Sequence, residues 1–333
     1  MMERRVATTI GPDEAGMTVL DFLTRRFTYF SRDAWDAHVL EGRILRNDHS
    51  TTPLTRLLRG DRLTYAHFLG PEPKVEKRFD ILFEDSALLV IDKPANLPCH
   101  PGGRYFKNTL WALLKETGEF PCLQFVNRLD RETSGIVVIA KTREAARHCG
   151  RQFENHLVIK RYVVFVEGCF PDQDIQAEGF LMPDPGSVVR KKQRFCSSLK
   201  DSFHQGKVKR CITRFRKVRT IGTMSELEAI PETGRSHQIR ATLHSLGFPV
   251  VGDKLYGLDE GLFLRFIHQG LTFEDRQRLR LPRQALHAAF TGLKHPRTSR
   301  HMQFTAPLPC DLSNLLSPNA AKVEDAAAPR RQR

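Results

Sequence analysis

The sequence predicts an α+β protein in two parts, a small N-terminal α/β unit over residues 1–74 and a larger unit over residues 75–312, with a tail over 313–333. Three observations predict it. The first 65 residues carry two capped amphipathic helix patterns followed by short strand and turn signals. Gly70-Pro71-Glu72-Pro73-Lys74 has two prolines and no apolar period, the mark of a linker. Beyond it, short β-branched runs are joined by tight turns, and Met224–Ile230 alternates polar and apolar residues as an antiparallel strand does.

In the N-terminal unit, Thr18 is placed to cap a helix with Val19, Leu20, Leu23 and Phe27 on its apolar side. Ser31 caps a second helix with Ala34, Trp35, Val39 and Leu40 inward. Gly42 falls where a helix end tolerates left-handed backbone. Arg43–Leu45 reads as a strand, Asn47-Asp48 and Gly60-Asp61 as turns, and Arg62–Tyr65 as a second strand. This order, and the stretch Ser31–Asn47 in particular, resembles the S4-like RNA-binding module. On that resemblance Arg25, Arg26, Arg32, Arg43 and Arg46 would face phosphates; otherwise each is a solvated surface cation.

In the larger unit, Phe79–Glu84 and Ala87–Asp92 read as strands around a turn at Asp85-Ser86. Thr109–Lys115 reads as a short helix. Thr142 caps another that runs to about Phe153 and carries Arg143, Arg147 and Arg151 on its polar side. Lys160–Val166 is a strand by β-branched and aromatic content. Val188–Lys217 is dense in cations, including Arg190, Lys191 and Lys192, with Phe195, Phe203 and Phe215 interleaved. That composition suits a hairpin touching RNA, or else a solvated insertion. Leu262–Leu281 reads as helical, and the tail after Leu316 is Ala- and Pro-rich and basic, a composition expected to be disordered.

Lys and Arg outnumber Asp and Glu by 52 to 38, a net charge of +14, which favours a polyanionic partner. Seven scattered Cys without CxxC spacing argue against a disulfide framework or structural zinc. No run of apolar residues is long enough for a membrane span, and the N-terminus lacks a signal peptide's apolar core, so a cytoplasmic location is expected, or an organelle interior if the protein is imported; a monomer is expected as well.

Asn127–Lys141 (NRLDRETSGIVVIAK) concentrates the chemistry: a charged loop runs directly into a β-branched strand, pinning Asp130 beside the core. Read alone, Asp130 is as well explained by pairing with Arg128 or Arg131. Arg-Leu-Asp-x-x-Thr-Ser-Gly before an apolar strand resembles the signature of the RluA-type pseudouridine synthases. A second stretch, Thr233-Gly234-Arg235-Ser236-His237-Gln238-Ile239-Arg240, resembles that family's other signature. The likeness continues through Leu246–Gly257, Leu286-His287-Ala288 and Phe304–Pro309.

The resemblance implies a mixed, largely antiparallel sheet with the site in a cleft, and isomerisation of uridine to pseudouridine in structured RNA. Large-subunit rRNA is the first choice of target and tRNA the second, with no cofactor and no metal. It implies Asp130 as the catalytic residue, Arg240 as its ionic partner and Tyr162 as the residue that stacks on the target base and could take a proton from it. Arg128 would fill the space left by a flipped base. Lys93 and His100 stand as RNA contacts, Lys93 equally as a surface cation, and Arg235 and His237 as turn-ordering or backbone-contacting residues. Four positions depart from the pattern: Asn96 for Gly, Cys99 for Val, Asn127 for His and Thr242 for His. Two rivals remain: a catalytically silent RNA-binding or assembly factor, and a two-carboxylate hydrolase using Glu132.

Overall fold

The computed structural model describes residues 5–27, 30–66, 72–118, 120, 122–198, 208–268 and 270–316. Gly70, Pro71, Lys200, Phe203, Lys207 and the tail from residue 317 lie outside the described residues.

The N-terminal unit comprises β1 (Arg5–Thr9), α1 (Val19–Arg26), α2 (Arg32–Leu40), β2 (Ile44–Arg46), β3 (His49–Ser50) and β4 (Arg62–Ala66). Its sheet runs β1-β4-β2-β3, antiparallel throughout. Thr18 and Ser31 cap the two helices as expected, accepting from the backbone N–H groups of Asp21 and Ala34. Val19, Leu20, Phe22, Leu23, Trp35 and Val39 bury against the sheet. Leu40, expected inward, is 69% exposed: it is the last residue of α2 and follows Val39, which takes the buried position. Four of the five arginines expected to face phosphates already hold carboxylates: Arg26 with Glu14, Arg32 with Asp21, Arg43 with Glu41 and Arg46 with Asp61. The Asp61 end of the last pair is buried, which makes Arg46 part of the module's frame.

The larger unit is built on β5 (Asp80–Glu84), β6 (Leu88–Lys93), α3 (Leu110–Glu116), β7 (Gln124–Phe125), β8 (Ser134–Ala140), α4 (Arg143–Glu154) and β9 (Ile159–Glu167). It continues with β10 (Ile175–Pro183), β11 (Gln193–Cys196), β12 (Lys209–Ile221), β13 (Met224–Pro231), α5 (Gln238–Ser245), α6 (Gly261–His268), α7 (Phe273–Leu279), β14 (Leu286–Lys294), β15 (His301–Thr305) and α8 (Cys310–Ser313). One sheet joins all its strands in the order β11-β10-β12-β13-β9-β14-β8-β6-β5, with β15 on β14 and β7 on β8. Every pairing is antiparallel except β14 with β8, which is parallel. The sheet is therefore mixed and largely antiparallel, as the resemblance implied.

The parallel pairing brings two distant segments together at the site. Gly135 (φ 110°) faces Ala288 there, and a Cβ on it would overlap the Ala288 carbonyl. That is the physical demand behind the glycine that follows Thr133-Ser134. All seven residues of β8 are buried, as its run of β-branched residues predicts.

Three expectations need correction. Leu262–Leu281 is not one helix: it breaks into α6 and α7 around Gly270 (φ 85°), with Thr272 capping α7. The hairpin expected over Val188–Lys217 is not formed by its described strands: β11 and β12 pair with opposite edges of β10 and not with each other. Phe195 and Phe215 lie in the main core and cannot stack on bases. The packed chain also runs past the expected end at 312: a helical turn over Asn314–Leu316 buries Leu315 in that core.

Candidate active site

Asp130 sits on the loop between β7 and β8, its backbone carbonyl accepting from Thr133 N–H at 3.1 Å. Arg240, in the first turns of α5, donates from Nη1 to Asp130 Oδ2 at 2.6 Å. The rest of that guanidinium is clamped from behind. Nε and Nη2 donate to the two oxygens of Asp253 at 2.6 and 2.9 Å, a bidentate pair. Asp253 Oδ1 in turn accepts from the N–H groups of Leu255 and Tyr256, each at 2.9 Å. The Tyr256 ring lies under the guanidinium, 4.9 Å from its centroid to Cζ. Arg240 and Asp253 are buried, whereas 32% of the Asp130 side chain stays open to the cleft. The site thus presents one anionic carboxylate at the mouth of a buried ionic frame.

Burial alone would raise the Asp130 carboxyl; the charges of His237 and Arg240 and hydrogen bonds from Arg240 and Gln284 hold it well below the usual carboxylate range. His237 stands with Nε2 3.9 Å from Asp130 Oδ1. Burial and the neighbouring cations push its own pKa down to about 4, so at neutral pH its ring is uncharged and Arg240 is the cation that remains. His237 adopts left-handed backbone (φ 59°) as the residue entering α5, and its Nδ1 meets the Tyr256 hydroxyl at 2.9 Å. It therefore faces the carboxylate, beyond the turn-ordering expected of it.

The turn ahead of it is ordered by Gln238: its Oε1 accepts from Thr233 Oγ1 and Arg235 N–H, while its Nε2 donates to the Ile212 carbonyl. Arg235 itself is exposed and donates to the Arg210 carbonyl.

Tyr162, on β9, packs between the two halves of the core. Burial and the Asp130 charge push its phenol up to about 12. At neutral pH it keeps its proton, which disfavours the expected role as a proton acceptor. Arg128 is exposed on the approach to Asp130. His100 is half-buried with its ring 4.4 Å from that of Phe125.

Other expected contacts are redirected. Lys93 is fully buried (0% exposed), so it is neither a surface cation nor a direct RNA contact. Its Nζ donates to the carbonyls of Pro94 and Arg131, bracing the Asp130 loop from beneath, and burial brings its pKa down to about 8. Lys192 is also buried, paired with Glu260 at 2.7 Å. Arg190 and Lys191 remain exposed; the Lys191 ammonium lies 4.3 Å from the Phe263 ring centroid and its charge reaches Asp130 and Arg240.

Glu132, the second acid that a hydrolase would need, has both oxygens engaged by Lys254, with Oε1 also accepting from Arg131. Asn127 bonds through its amide to Ile136 O and Val138 N–H of β8, so the departure from His anchors the loop to the strand. Thr242 is fully buried, and among the described residues its hydroxyl has no hydrogen-bond partner.

Two residues at the site were not singled out from sequence. Asp253 belongs to a stretch whose likeness was noticed without a role. Gln284 donates to Asp130 Oδ2 at 3.4 Å and to Thr133 Oγ1 at 2.5 Å. A lone Gln before a strand carries no local signal; for Asp253, the Gly-Asp turn in a matching stretch was the available clue.

Fold and site set one ionised carboxylate, partly open to solvent, beside a buried ionic frame on a strongly basic chain. Residues 87–245 match the RNA pseudouridylate synthase family. The chain is 31% identical over 313 residues to the ribosomal large subunit pseudouridine synthase D of Vibrio cholerae, covering 91% of each chain. It is 33% identical to the Zymomonas mobilis protein of the same name, covering 71% of each. It is 32% identical to the mitochondrial tRNA pseudouridine(32) synthase of Saccharomyces cerevisiae over 73% of this chain, a match spanning 50% of that protein's length. The solved structure of human RNA pseudouridylate synthase domain containing 1 shares the fold, with a TM-score of 0.53 at 23% identity over 71% of this chain and 86% of that one. The chain belongs to the RNA pseudouridylate synthase family, and it is an RNA pseudouridine synthase. Among the described residues, no helix is long and apolar enough to cross a membrane.

Proposed function

We propose that this enzyme isomerises specific uridines of large-subunit rRNA, with tRNA as second choice, using Asp130 as its catalytic carboxylate. The observation that carries the reading is the 2.6 Å contact from Arg240 to Asp130, with Arg240 itself held by Asp253. A carboxylate kept ionised and open on one side is what a nucleophile or base requires. In the reaction the C1′–N1 bond of uridine breaks and a C1′–C5 bond forms. C5 loses its proton and N1 gains one, so no electrons enter or leave.

The target base leaves its stack to reach Asp130, Tyr162 stacks on it, and Arg128 fills the space behind. The choice of rRNA rests on the relatives matched over most of both chains, which carry that substrate in their names. The N-terminal unit serves as an S4-like RNA-binding module, supported by its two helices on a short antiparallel sheet.

The test is carbodiimide mapping of pseudouridines in total RNA from cells with and without the gene. Loss of particular sites in large-subunit rRNA is the expected result. Loss confined to tRNA would replace the target, and an unchanged map would leave a silent RNA-binding factor as the better reading.

A further inference from the structure

Four exposed arginines on the larger unit's sheet are paired locally: Arg161 and Arg216 share Glu228, Arg210 meets Glu178 and Arg219 meets Glu226. The outer face of α4 differs. Arg143, Arg147 and Arg151 are all exposed, and among the described residues none has a carboxylate within ion-pair distance. Glu144, at the helix start beside Thr142, lies within the field of Arg147 and Arg143 without an ion pair to either, and its carboxyl is held below its usual range, first by its own backbone N–H and Thr142.

Recurring every four residues, the three guanidinium groups form one stripe with a step of about 6 Å along the helix, the order of separation between successive phosphates on one strand. Alongside them runs an open trough of about 490 Å³, walled on the other side by Gln124, Phe125 and Val126. Ala146 and Gly150 give it a low floor, and a Cβ on Gly150 would meet nothing within 4 Å. Glu154 lies at the far end. At the near wall, Phe125 touches His100, and the chain passes from Val126 to Asp130 in four residues.

We propose that this trough is an RNA-backbone site that grips the phosphodiester strand flanking the target uridine, Arg143, Arg147 and Arg151 each taking a phosphate. The inference rests on the proposed function, in that the RNA held here is the substrate. Because α4 packs on Ile136, Val138 and Ala140 while Leu129 and Tyr162 pack on Val137 and Ile139, the RNA strand reaches Asp130 around the β7 edge, where Val126 faces the first set and Phe125 the second. A strand lying along α4 would pass Phe125, offering an aromatic face to an unpaired base before the cleft. The site therefore contributes affinity and register, and leaves the chemical step to the cleft.

The experiment measures binding of rRNA purified from cells lacking the gene over a series of salt concentrations, with single-turnover pseudouridine formation on the same RNA. Arg143→Gln/Arg147→Gln/Arg151→Gln should weaken binding about tenfold or more and reduce the log–log salt slope by about 2, as losing three phosphate contacts requires. The saturated rate should stay within about twofold. Gly150→Trp keeps the charge and fills the trough, and should weaken binding without the change in slope. Arg276→Gln/Arg278→Gln/Arg300→Gln removes equal charge elsewhere and should cost less than threefold. Equal losses in the two triple variants, or wild-type binding by the α4 triple variant and by Gly150→Trp, would overturn the proposal. If the wild-type enzyme binds this RNA with the expected stripe dependence but forms no pseudouridine in it, the choice of target fails and the binding site stands.

Discussion

Arg240 meets Asp130 at 2.6 Å across 110 residues of sequence, and it does so with a guanidinium already fixed by a second carboxylate. The two carboxylates divide the work. Asp253, fully enclosed, neutralises and orients the arginine; Asp130, open to the cleft, borrows the field of that arginine.

Asp130→Asn should abolish pseudouridine formation, because the neutral amide supplies neither nucleophile nor base. RNA affinity should stay within a few-fold, since the side chain is nearly isosteric. Nucleoside chromatography after single-turnover incubation reads the first and a filter-binding isotherm the second. Pseudouridine formation by the variant would disprove the role of Asp130.

Asp253→Asn should be worse for the fold than Asp130→Asn. It leaves the buried Arg240 charge without its bidentate partner, a class of change that costs about 3–5 kcal/mol. Denaturant titration of the two variants side by side would show it, and equal stability would mean that Arg240 does not depend on Asp253.

Stability should fall between about pH 6.5 and pH 4. Burial pushes His287 down to about 4, and His237 likewise. In that window the unfolded chain binds protons at these imidazoles that the folded chain refuses, so stability rises with pH and is lost on acidification. For His287, fully buried against Ser134, the term is of the order of 3 kcal/mol. Asp92, raised to about 6 by burial and by Asp80, acts in the opposite sense. Thermal melts from pH 7.5 to 4.5 should show the net fall, shallower in His287→Gln; an identical profile in that variant would remove His287 as a source.

Lys93→Met should reduce the saturated rate at least tenfold and leave RNA affinity within about threefold, because Lys93 braces the carbonyls of Pro94 and Arg131 and has no solvent-accessible surface. Measuring the rate and the dissociation constant separately decides it. A large loss of affinity at an unchanged rate would mean that the lysine reaches RNA after all.

Within the basic segment, Arg190→Ala/Lys191→Ala should weaken RNA binding and flatten its salt dependence. Lys192→Met should instead loosen the packing against Glu260 with little effect on the salt slope. Identical slopes for both variants would contradict this division.

Much was legible in the sequence because it depends on neighbours in the chain. The expected caps Thr18, Ser31 and Thr142 each accept from the N–H three residues on, so a helix start is written within four letters. The buried strand read over Ile136–Ala140, which begins two residues earlier at Ser134, its preceding loop with Asp130, and the stretch ending at Arg240 are recognisable for the same reason: each is one continuous phrase. The split of Leu262–Leu281 is itself a local signal, Gly270 with positive φ followed by Thr272 capping α7 in a box with Asp275; the strand over Ile175–Pro183 is where local pattern stops, since its place is set by pairing on both sides, with β11 and β12.

Which cation stands free and which carboxylate it meets was decided only by tertiary structure. In the sequence Lys93, Lys191 and Lys192 look alike; the fold buries the first under the Asp130 loop, hangs the second over the cleft and locks the third onto Glu260. Asp130, Arg240, Asp253 and Gln284 converge because the sheet sets β8 beside β14 and packs α5 against β11 and β10. Charge interactions act through space, so their partners follow from the order of strands and not from the order of residues.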